Sequence, residues 1–512
     1  MNILVHRAIH RSFVLVVLFW SSGYLFAQQG VMDFSGARIC DLYVPDSLLS
    51  TCSRTLELDA LYTPTLDVPP LILTQYENED MPGKDAQTHG VLPDSANAPT
   101  YSLGEVIITA MRLPQTSPYT PSSVTVLSQS EIQSMNGTSL ADLMSPVTGF
   151  FVKEYGATSG LKTISQRGLG AEHTLILLNG FRISSVQNGL TDLGMVPVDE
   201  IESVEIVRGG QSASFGADAV AGIVNVVTRP ESEQNSIRAT SSFGSFGYRR
   251  YYVSGGVTSG FDGIRLSYGE EKSDEDFPFR FRNGPQVWNL NRRNADLSAR
   301  FANLYAGVGI GGQSRLTMYA STYFSERGVG GAVVSPYSSS VARQTDKNHV
   351  VQSSLSMGLA EHTTFGCAAQ VHVSYERYQD PNLSIGGKFV DSYFKNNDVR
   401  IEPHLEVRLG ERLKLGLGSE LTRTTGEGNS MARGVRRTQF GLSLAGEVVI
   451  VKTAGVISDL SLFPTARLDA ISLMLPAWSP QIGLLVGFQE SNIGILKAVK
   501  PTIRSSLSRN FR

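Results

Sequence analysis

The chain has 512 residues, a formal net charge of −3 and a charged fraction of 18%. It is long enough for more than one domain, and it carries no basic surplus of the kind that marks a nucleic-acid partner. Fifty glycines suit a turn-rich all-β protein, and no run of ~20 apolar residues offers a membrane-spanning helix.

His6, Arg7, His10 and Arg11 precede an apolar run from Phe13 to Trp20 that weakens toward Phe26 and Ala27. A basic start, a short apolar core and a small residue before Gln28 predict a secretory signal peptide over 1–27. Residues 28–102 form an acidic, proline-rich extension: between Gln28 and Thr100, eleven acids face three bases and seven prolines interrupt regular structure. Apart from a leucine-rich patch between Cys40 and Tyr62, this stretch reads as a solvated linker. Cys40, Cys52 and Cys367 are too few and scattered for a zinc site. Cys40 and Cys52 either pair in an oxidising compartment or stay free.

At Leu103 to Arg112, LGEVIITAMR, the residues Glu105, Val106, Ile107, Ile108, Thr109 and Ala110 make a short extended segment. An unpaired strand of this kind can add itself to a partner's sheet edge through backbone bonds. Further on, Val124 to Leu127 predicts a strand, Ser130 a helix cap, Ser139 to Met144 a second short helix, and Gly149 to Val152 another strand. Ile164 to Gln166 ends in Arg167-Gly168, and Thr174 to Leu178 followed by Asn179-Gly180 predicts a hairpin. Val204 to Arg229 organises the rest: a β-branched strand, a break at Arg208-Gly209-Gly210, small residues past Gly216 and Gly222, and a second apolar strand through Asn225. A phosphate loop fits poorly, because Ala217 stands where its lysine belongs.

Taken whole, Val204 to Arg229 resembles the end of the plug domain of TonB-dependent outer-membrane receptors, closest to the cobalamin and ferric-siderophore branch. The resemblance rests on Glu205-Ile206-Val207-Arg208-Gly209, on Phe215-Gly216, and on Gly222-Ile223-Val224-Asn225-Val226-Val227-Thr228. It departs at Gly210, where relatives often carry proline. It implies a TonB box at 103–112 and a plug over 113–230, whose structural motif comprises Arg167, Gly168, Arg208, Gly209, Gly216, Gly222 and Asn225. It also implies that two loops on the plug's outer face touch ligand: Tyr155 to Leu161, with Tyr155, Gly156, Thr158 and Ser159, and Ser184 to Asp192, with Ser184, Ser185, Gln187, Asn188 and Asp192. Plain solvent-facing turns are the competing reading of both.

After Pro230 the pattern becomes repeated alternation. Val399, Ile401, Pro403, Leu405, Val407 and Leu409 share one face; Arg400, Glu402, His404, Glu406 and Arg408 share the other. Ala295, Leu297, Ala299 and Phe301 against Asn294, Asp296, Ser298 and Arg300 repeat the scheme. Segments of ~10 residues, with short turns at 361–364 and 410–412 and long connections at 273–291, 326–347, 379–395 and 425–436, predict a transmembrane barrel. The fold class is therefore an all-β transmembrane barrel with an N-terminal α+β plug. About 13 alternating segments follow Ser236, against ~22 strands in plugged transporters, so 231–512 is expected to be a partial, early-ending barrel.

The reading is an outer-membrane receptor, its N-terminal segment in the periplasm, that takes up a scarce large ligand such as a ferric siderophore, haem or cobalamin. Its expected partners are the TonB energy-transducing complex, that organometallic or siderophore-like ligand and outer-membrane lipids. Rivals are a surface binding or adhesion barrel without transport, a non-functional truncated receptor and, more weakly, a carbohydrate importer. Catalysis is not expected: the eight histidines include no metalloprotease pairing and no serine sits in a nucleophile elbow. Gly307, Gly309 and Gly312 satisfy a dinucleotide fingerprint, but no helix follows them. No cofactor is expected beyond calcium on the carboxylates of Asp274, Glu275 and Asp276, for which a solvated acidic loop is the stronger reading.

Overall fold

In the computed structural model the described residues are 107–108, 115–116 and 120–511, the last without 157–158, 184, 186–188, 229–234, 261, 338, 386–387, 433, 455, 490, 494–495 and 500–501. All of them fall in one compact unit, Ala98–Arg512. The signal peptide, the acidic extension, Cys40, Cys52 and, of the TonB box, Leu103, Glu105, Val106, Thr109 and Ala110 lie outside the described residues.

The N-terminal part is an α+β layer. Strand β1 (Ile107–Ile108) pairs antiparallel with β2 (Gln115–Thr116). The predicted free strand is thus held by a two-residue ladder, too short to be stable alone. Then come β3 (Ser123–Leu127), α1 (Gln129–Met135), α2 (Leu140–Met144), β4 (Phe150–Glu154), β5 (Lys162–Gln166), β6 (Thr174–Leu178), β7 (Phe181–Arg182), β8 (Ile201–Arg208), α3 (Ser212–Phe215) and β9 (Gly222–Thr228). Five strands form one sheet in the order β3-β8-β9-β6-β7, with β6 and β9 parallel. Asn179 and Gly180 both have positive φ, 52° and 84°, which makes the β6–β7 turn the primed type that the Asn-Gly pair predicts.

The central strands read as nearly continuous apolar runs because both faces of the sheet are covered. Ile176, Leu178, Val204, Ile206, Val224 and Val226 pack with α1 and α2, while Leu175, Leu177, Val207 and Ile223 pack with Phe215 and Ala219. Gly222, at φ 154°, lies where β8 and β9 come closest: an added Cβ would collide with the Val207 carbonyl oxygen. The cap of α1 is Ser128 rather than Ser130. Glu131 stands three residues after Ser128, so its Oε2 accepts from Ser128 N at 2.7 Å while Ser128 Oγ accepts from Glu131 N at 3.4 Å.

The remaining strands are β10 (Ser236–Phe243), β11 (Arg249–Ser259), β12 (Asp262–Ser273), β13 (Pro278–Asn283), β14 (Gln286–Asn291), β15 (Leu297–Gly311), β16 (Ser314–Val329), β17 (Ala342–Ala360) and β18 (Thr363–Ile385). They continue as β19 (Lys388–Leu409), β20 (Leu413–Gly428), β21 (Val435–Ala454), β22 (Ile457–Ile471), β23 (Ala477–Phe488), β24 (Ser491–Ile493), β25 (Leu496–Val499) and β26 (Thr502–Ser508). Thirteen form a single antiparallel meander from β10 to β26, while β13–β14 and β24–β25 stand apart as hairpins. The count from Ser236 agrees with the alternation in the sequence. No helix among the described residues is long and apolar enough to cross a membrane.

Three of the connections expected to be long are shorter than the hydropathy pattern indicates. β18 and β19 run on through 379–395 to Ile385 and Lys388, and the 326–347 and 425–436 segments are likewise partly strand. Antiparallel pairing satisfies backbone donors on both sides of the apolar band, so the ladder need not stop where hydrophobicity does. The stretch 273–291 instead contains the β13–β14 hairpin. On β19 the outer Val399 and Ile401 are exposed and Arg400 and Glu402 are buried. At 294–301 the polarity is inverted: Phe301 and Ala299 are buried beside Tyr252 and Tyr323, and Arg300 faces outward.

The cap of α2 makes a pH prediction. Asp142 Oδ2 accepts from Thr138 N, Thr138 Oγ1 and Ser139 N at 2.9, 2.9 and 3.0 Å, and Oδ1 lies 3.8 Å from Lys162 Nζ. Burial pushes this carboxyl up, but Lys162 and the three hydrogen bonds together hold it below the usual carboxylate range. A depressed folded pKa stabilises above the unfolded value of ~3.9 and that stability is lost as pH falls through the folded value. Asp142→Asn should cost about 1 kcal/mol at pH 7 and flatten the acid limb of amide protection over 140–144. An unchanged acid limb would contradict this assignment.

Candidate functional site: the seam between plug and strands

The inner face of the meander carries charge, and charge buried there must be paired or hydrogen-bonded. The plug supplies much of that pairing. Arg265 Nη2 meets Glu200 Oε2 at 2.7 Å, and the Tyr252 hydroxyl donates to Glu200 Oε1 at 2.8 Å. Arg250 is paired with Asp199 of the plug and with Glu271 at 3.2 Å, and donates to the Thr138 carbonyl at 2.8 Å. Gln352 Nε2 donates to the Leu178 carbonyl at 3.0 Å and its Oε1 accepts from Asn179 Nδ2 at 3.1 Å, so the β6–β7 turn is held from the wall. Farther round, Arg467 joins Glu420 at 2.9 Å and Asp469 at 2.8 Å and reaches the Ser214 carbonyl of α3 at 3.4 Å. Gly216, at φ 77°, allows this approach, since a Cβ there would sit 3.2 Å from the Arg467 guanidinium.

The plug motif residues hold the layer together from within. Arg208 donates to Thr125 Oγ1 at 2.5 Å and to the Thr148 carbonyl at 3.3 Å. Asn225, fully buried, donates to Glu205 Oε2 at 3.0 Å and accepts from Gly180 N at 2.9 Å. Arg167, Gly168 and Gly209 have positive φ of 54°, 77° and 97°, which explains a glycine at two of these turn positions. Arg182, on β7, pairs with Asp218 and donates to the Ala217 carbonyl at 2.6 Å.

Of the two predicted ligand loops, the structure brings Ser159 and Asp192 together and leaves Tyr155 exposed. Asp192 Oδ1 accepts from Lys162 N at 3.2 Å and Gly194 N at 3.0 Å, and its Oδ2 takes Arg327 Nη1 at 2.8 Å. The same Arg327 donates to the Ser159 carbonyl at 3.1 Å and meets Asp346 at 3.1 Å. One arginine of β16 therefore clamps both loops. Tyr155 is 53% exposed with Lys153 Nζ 4.6 Å above its ring, and Gly156 lies beside it at φ 138°. Thr158, Ser184, Gln187 and Asn188 lie outside the described residues.

Near this clamp is a cavity of about 210 Å³ that Ser185 and Asp192 help to line, with Tyr323, Asn348 and His372 among the wall residues. Asn348 bridges Met195 Sδ at 3.1 Å and His372 Nε2 at 3.2 Å. Pockets for drug-sized ligands run to ~300–1,000 Å³, so this cavity is smaller than one that would enclose such a ligand. A second gap of about 270 Å³ lies between Asn179-Gly180-Phe181 and the wall at Glu402 and His404.

Asp274, Glu275 and Asp276 are not brought together as calcium ligands. The backbone turns there, with Asp274 N and Glu275 N both donating to the Phe246 carbonyl and Glu275 at φ 50°. No group of three or more His, Cys, Asp or Glu able to hold a metal occurs among the described residues. Sequence reasoning missed the wall arginines Arg250, Arg265, Arg327 and Arg467. Arg265, between Ile264 and Leu266, and Arg467, between Ala466 and Leu468, carry the signal of a charged residue at an inward position among apolar ones; Arg250 and Arg327 do not.

The clamp yields a prediction. Arg327→Ala leaves Asp192 and Asp346 buried without their cation, a loss of roughly 3–5 kcal/mol for a broken buried pair. Amides at 159–161 and 190–192 should exchange faster by at least tenfold while the β16–β17 ladder keeps its protection. Unchanged exchange in the loops would show that Arg327 does not seat them.

Residues 118–223 match the family model described as TonB-dependent Receptor Plug Domain. The chain is 30% identical over 170 residues to "Vitamin B12 transporter BtuB" of Vibrio vulnificus, covering 33% of this chain and 28% of the relative. A BtuB of Vibrio cholerae is 26% identical over 176 residues. Among solved structures, the siderophore receptor PirA from Pseudomonas aeruginosa superposes with a TM-score of 0.53 at 19% identity, over 71% of this chain and 59% of that one. The ferric citrate transporter FecA gives 0.56 at 14%, over 72% and 60%. The chain thus spans about 28% of the length of that curated relative and about 60% of these solved structures. Residues 118–223 are a TonB-dependent receptor plug domain, packed against strands that have the fold of the TonB-dependent receptor barrel.

Proposed function

We propose that the chain serves active uptake across the outer membrane as a TonB-dependent receptor for a ferric siderophore, cobalamin or similar large scarce ligand. The single observation that carries this reading is the polar seam. A plug meant only to close a barrel would be best fixed by apolar contacts, because buried ion pairs add little net stability over well-packed apolar groups. This plug meets the wall through a series of arginine–carboxylate, arginine–carbonyl and amide contacts, with two gaps between them. Each such contact can be exchanged for water as the plug shifts, whereas an apolar seam would resist wetting throughout.

In this reading ligand lodges above the Arg327 clamp, against Ser159, Ser185, Asp192 and the loop residues around them. Ile107 and Ile108 are released from their two-residue ladder and add as a strand to the TonB partner. Pull on that strand reaches the plug sheet at β3, which pairs with the central β8. The relatives named as transporters and receptors favour uptake over catalysis, and the B12 and siderophore titles favour the two ligand classes named. The N-terminal segment lies in the periplasm, where the partner reaches it.

Ile107→Pro removes a backbone donor from the pairing strand and should abolish energised uptake of radiolabelled cobalamin or ferric siderophore while membrane insertion stays normal. Uptake at the wild-type rate would remove the box from the mechanism. Single cysteines at Tyr155, Ser159, Ser185 and Asn188 should also label several-fold more slowly with saturating ligand; equal labelling at all four would place the ligand elsewhere.

A further inference from the structure

The cavity beside the Arg327 clamp is short of hydrogen-bond partners, and the shortage has a pattern. Asp346 on β17 and Glu376 on β18 are direct register partners, and both line the cavity. Like charges directly opposite are unfavourable, yet one guanidinium serves the group: Arg327 meets Asp192 at 2.8 Å and Asp346 at 3.1 Å. Among the described residues Glu376 has a single hydrogen bond, from Gln344 Nε2 at 3.3 Å, and no cation within ion-pair distance. A carboxylate offers about four acceptor sites, so Glu376 has room for further donors. Two residues along from Asp346, Asn348 stands opposite Ser374 and also lines the cavity. It is therefore a diagonal neighbour of Glu376 on the same face, and such pairs lie ~7–8 Å apart. Asn348 Nδ2 donates to Met195 Sδ at 3.1 Å, and a thioether is a weak acceptor. Thr191 Oγ1 and Arg327 Nε, on two other lining residues, are buried with no hydrogen-bond partner among the described residues, and Arg327 as a whole is only 5% exposed.

The lining thus sets an acceptor that lacks donors beside donors that lack a good acceptor, within the span of one small group. An ammonium would satisfy Glu376 and leave Asn348 and Arg327 as they are. A carboxylate would reach those donors but would face Asp192, Asp346 and Glu376. A carboxamide serves both sides: its N–H groups donate to the carboxylate, its carbonyl accepts from the amide or guanidinium, and it brings no net charge to desolvate. The cavity, at about 210 Å³, has room for such an arm and not for a whole large ligand.

We propose that this cavity is a subsite for a carboxamide-bearing arm of the ligand, with Glu376 as its acceptor and Asn348 as its donor. The inference rests on the receptor reading above and narrows it. A ligand whose plug-facing side is uncharged and carries amides is admitted, and a polyanionic ferric complex is disfavoured by the surplus of carboxylates.

The test measures equilibrium binding to the full chain in detergent micelles. The probes are cyanocobalamin, whose rim carries primary carboxamides, its monocarboxylic acids, in which one of those amides is hydrolysed, and ferric citrate. At pH 7 at least one of the acids should bind at least about tenfold more weakly than cyanocobalamin, the scale of one lost charge-assisted hydrogen bond. Glu376→Gln removes the charge and keeps the shape, so it should weaken cyanocobalamin and strengthen that acid, a gain that misfolding would not produce. Glu427→Gln makes the same change of charge on the exposed outer face of β20 and should leave the preference intact. The proposal is overturned if every acid binds as well as cyanocobalamin, if Glu376→Gln leaves the preference unchanged, or if ferric citrate binds and cyanocobalamin does not. That last result leaves the receptor reading standing. An amide preference that depends on Glu376, in a chain that gives no energised uptake, supports the subsite and removes the receptor reading instead.

Discussion

The constraint on which the rest depends is the charge on the inner face of the strands. Arg250, Arg265, Arg327 and Arg467 are all nearly excluded from solvent, and a buried guanidinium without partners would cost several kcal/mol. Plug carboxylates meet three of them, through Asp199, Glu200 and Asp192, and the plug backbone reaches the fourth at Ser214. Plug and wall are therefore mutually required. The wall's arginines need the plug's acids, and those acids would be stranded in the plug without the arginines.

That mutual requirement shapes both the plug and its capacity to move. The plug's own cohesion is apolar, built on Leu140, Leu143, Met144, Val204, Ile206, Val224 and Val226, so it can shift as a unit. Its attachment is polar and directional, so it holds one position firmly yet has water as an alternative partner once displaced. The Arg327 clamp places this property at the two loops proposed to meet ligand. A ligand that competes for Asp192 or Ser159 would loosen the same contacts that seat the loops, which would link occupancy of the site to release of the domain.

Much of this architecture was legible in the sequence, for physical reasons. Alternation from Ser236 onward marks most of the strands, because an outer face and a plug face leave them two-sided, and the resulting count of about thirteen agrees with the sheet. The Asn179-Gly180 turn and the Val204 to Thr228 pair follow from local backbone chemistry. What was not legible depends on distant partners. Ser128 displaced Ser130 as the cap because Glu131 closes a box with it, the strands around 379–395 outran the hydrophobic band, and Phe301 faces inward because Tyr252 and Tyr323 receive it. The clamp joins Asp192 to Arg327 across 135 positions of sequence, and nothing local to either residue announces the other.

The most direct test of the central claim is mechanical. With the strands held in a supported bilayer, the chain is pulled from its N-terminal side by force spectroscopy. An apolar plug seated by exchangeable polar contacts should extend at lower force than the strands and in steps confined to residues before β10, with the thirteen-stranded sheet still intact. Simultaneous loss of plug and sheet in one event would contradict the account, because it would mean that the seam is as strong as the ladders on either side of it.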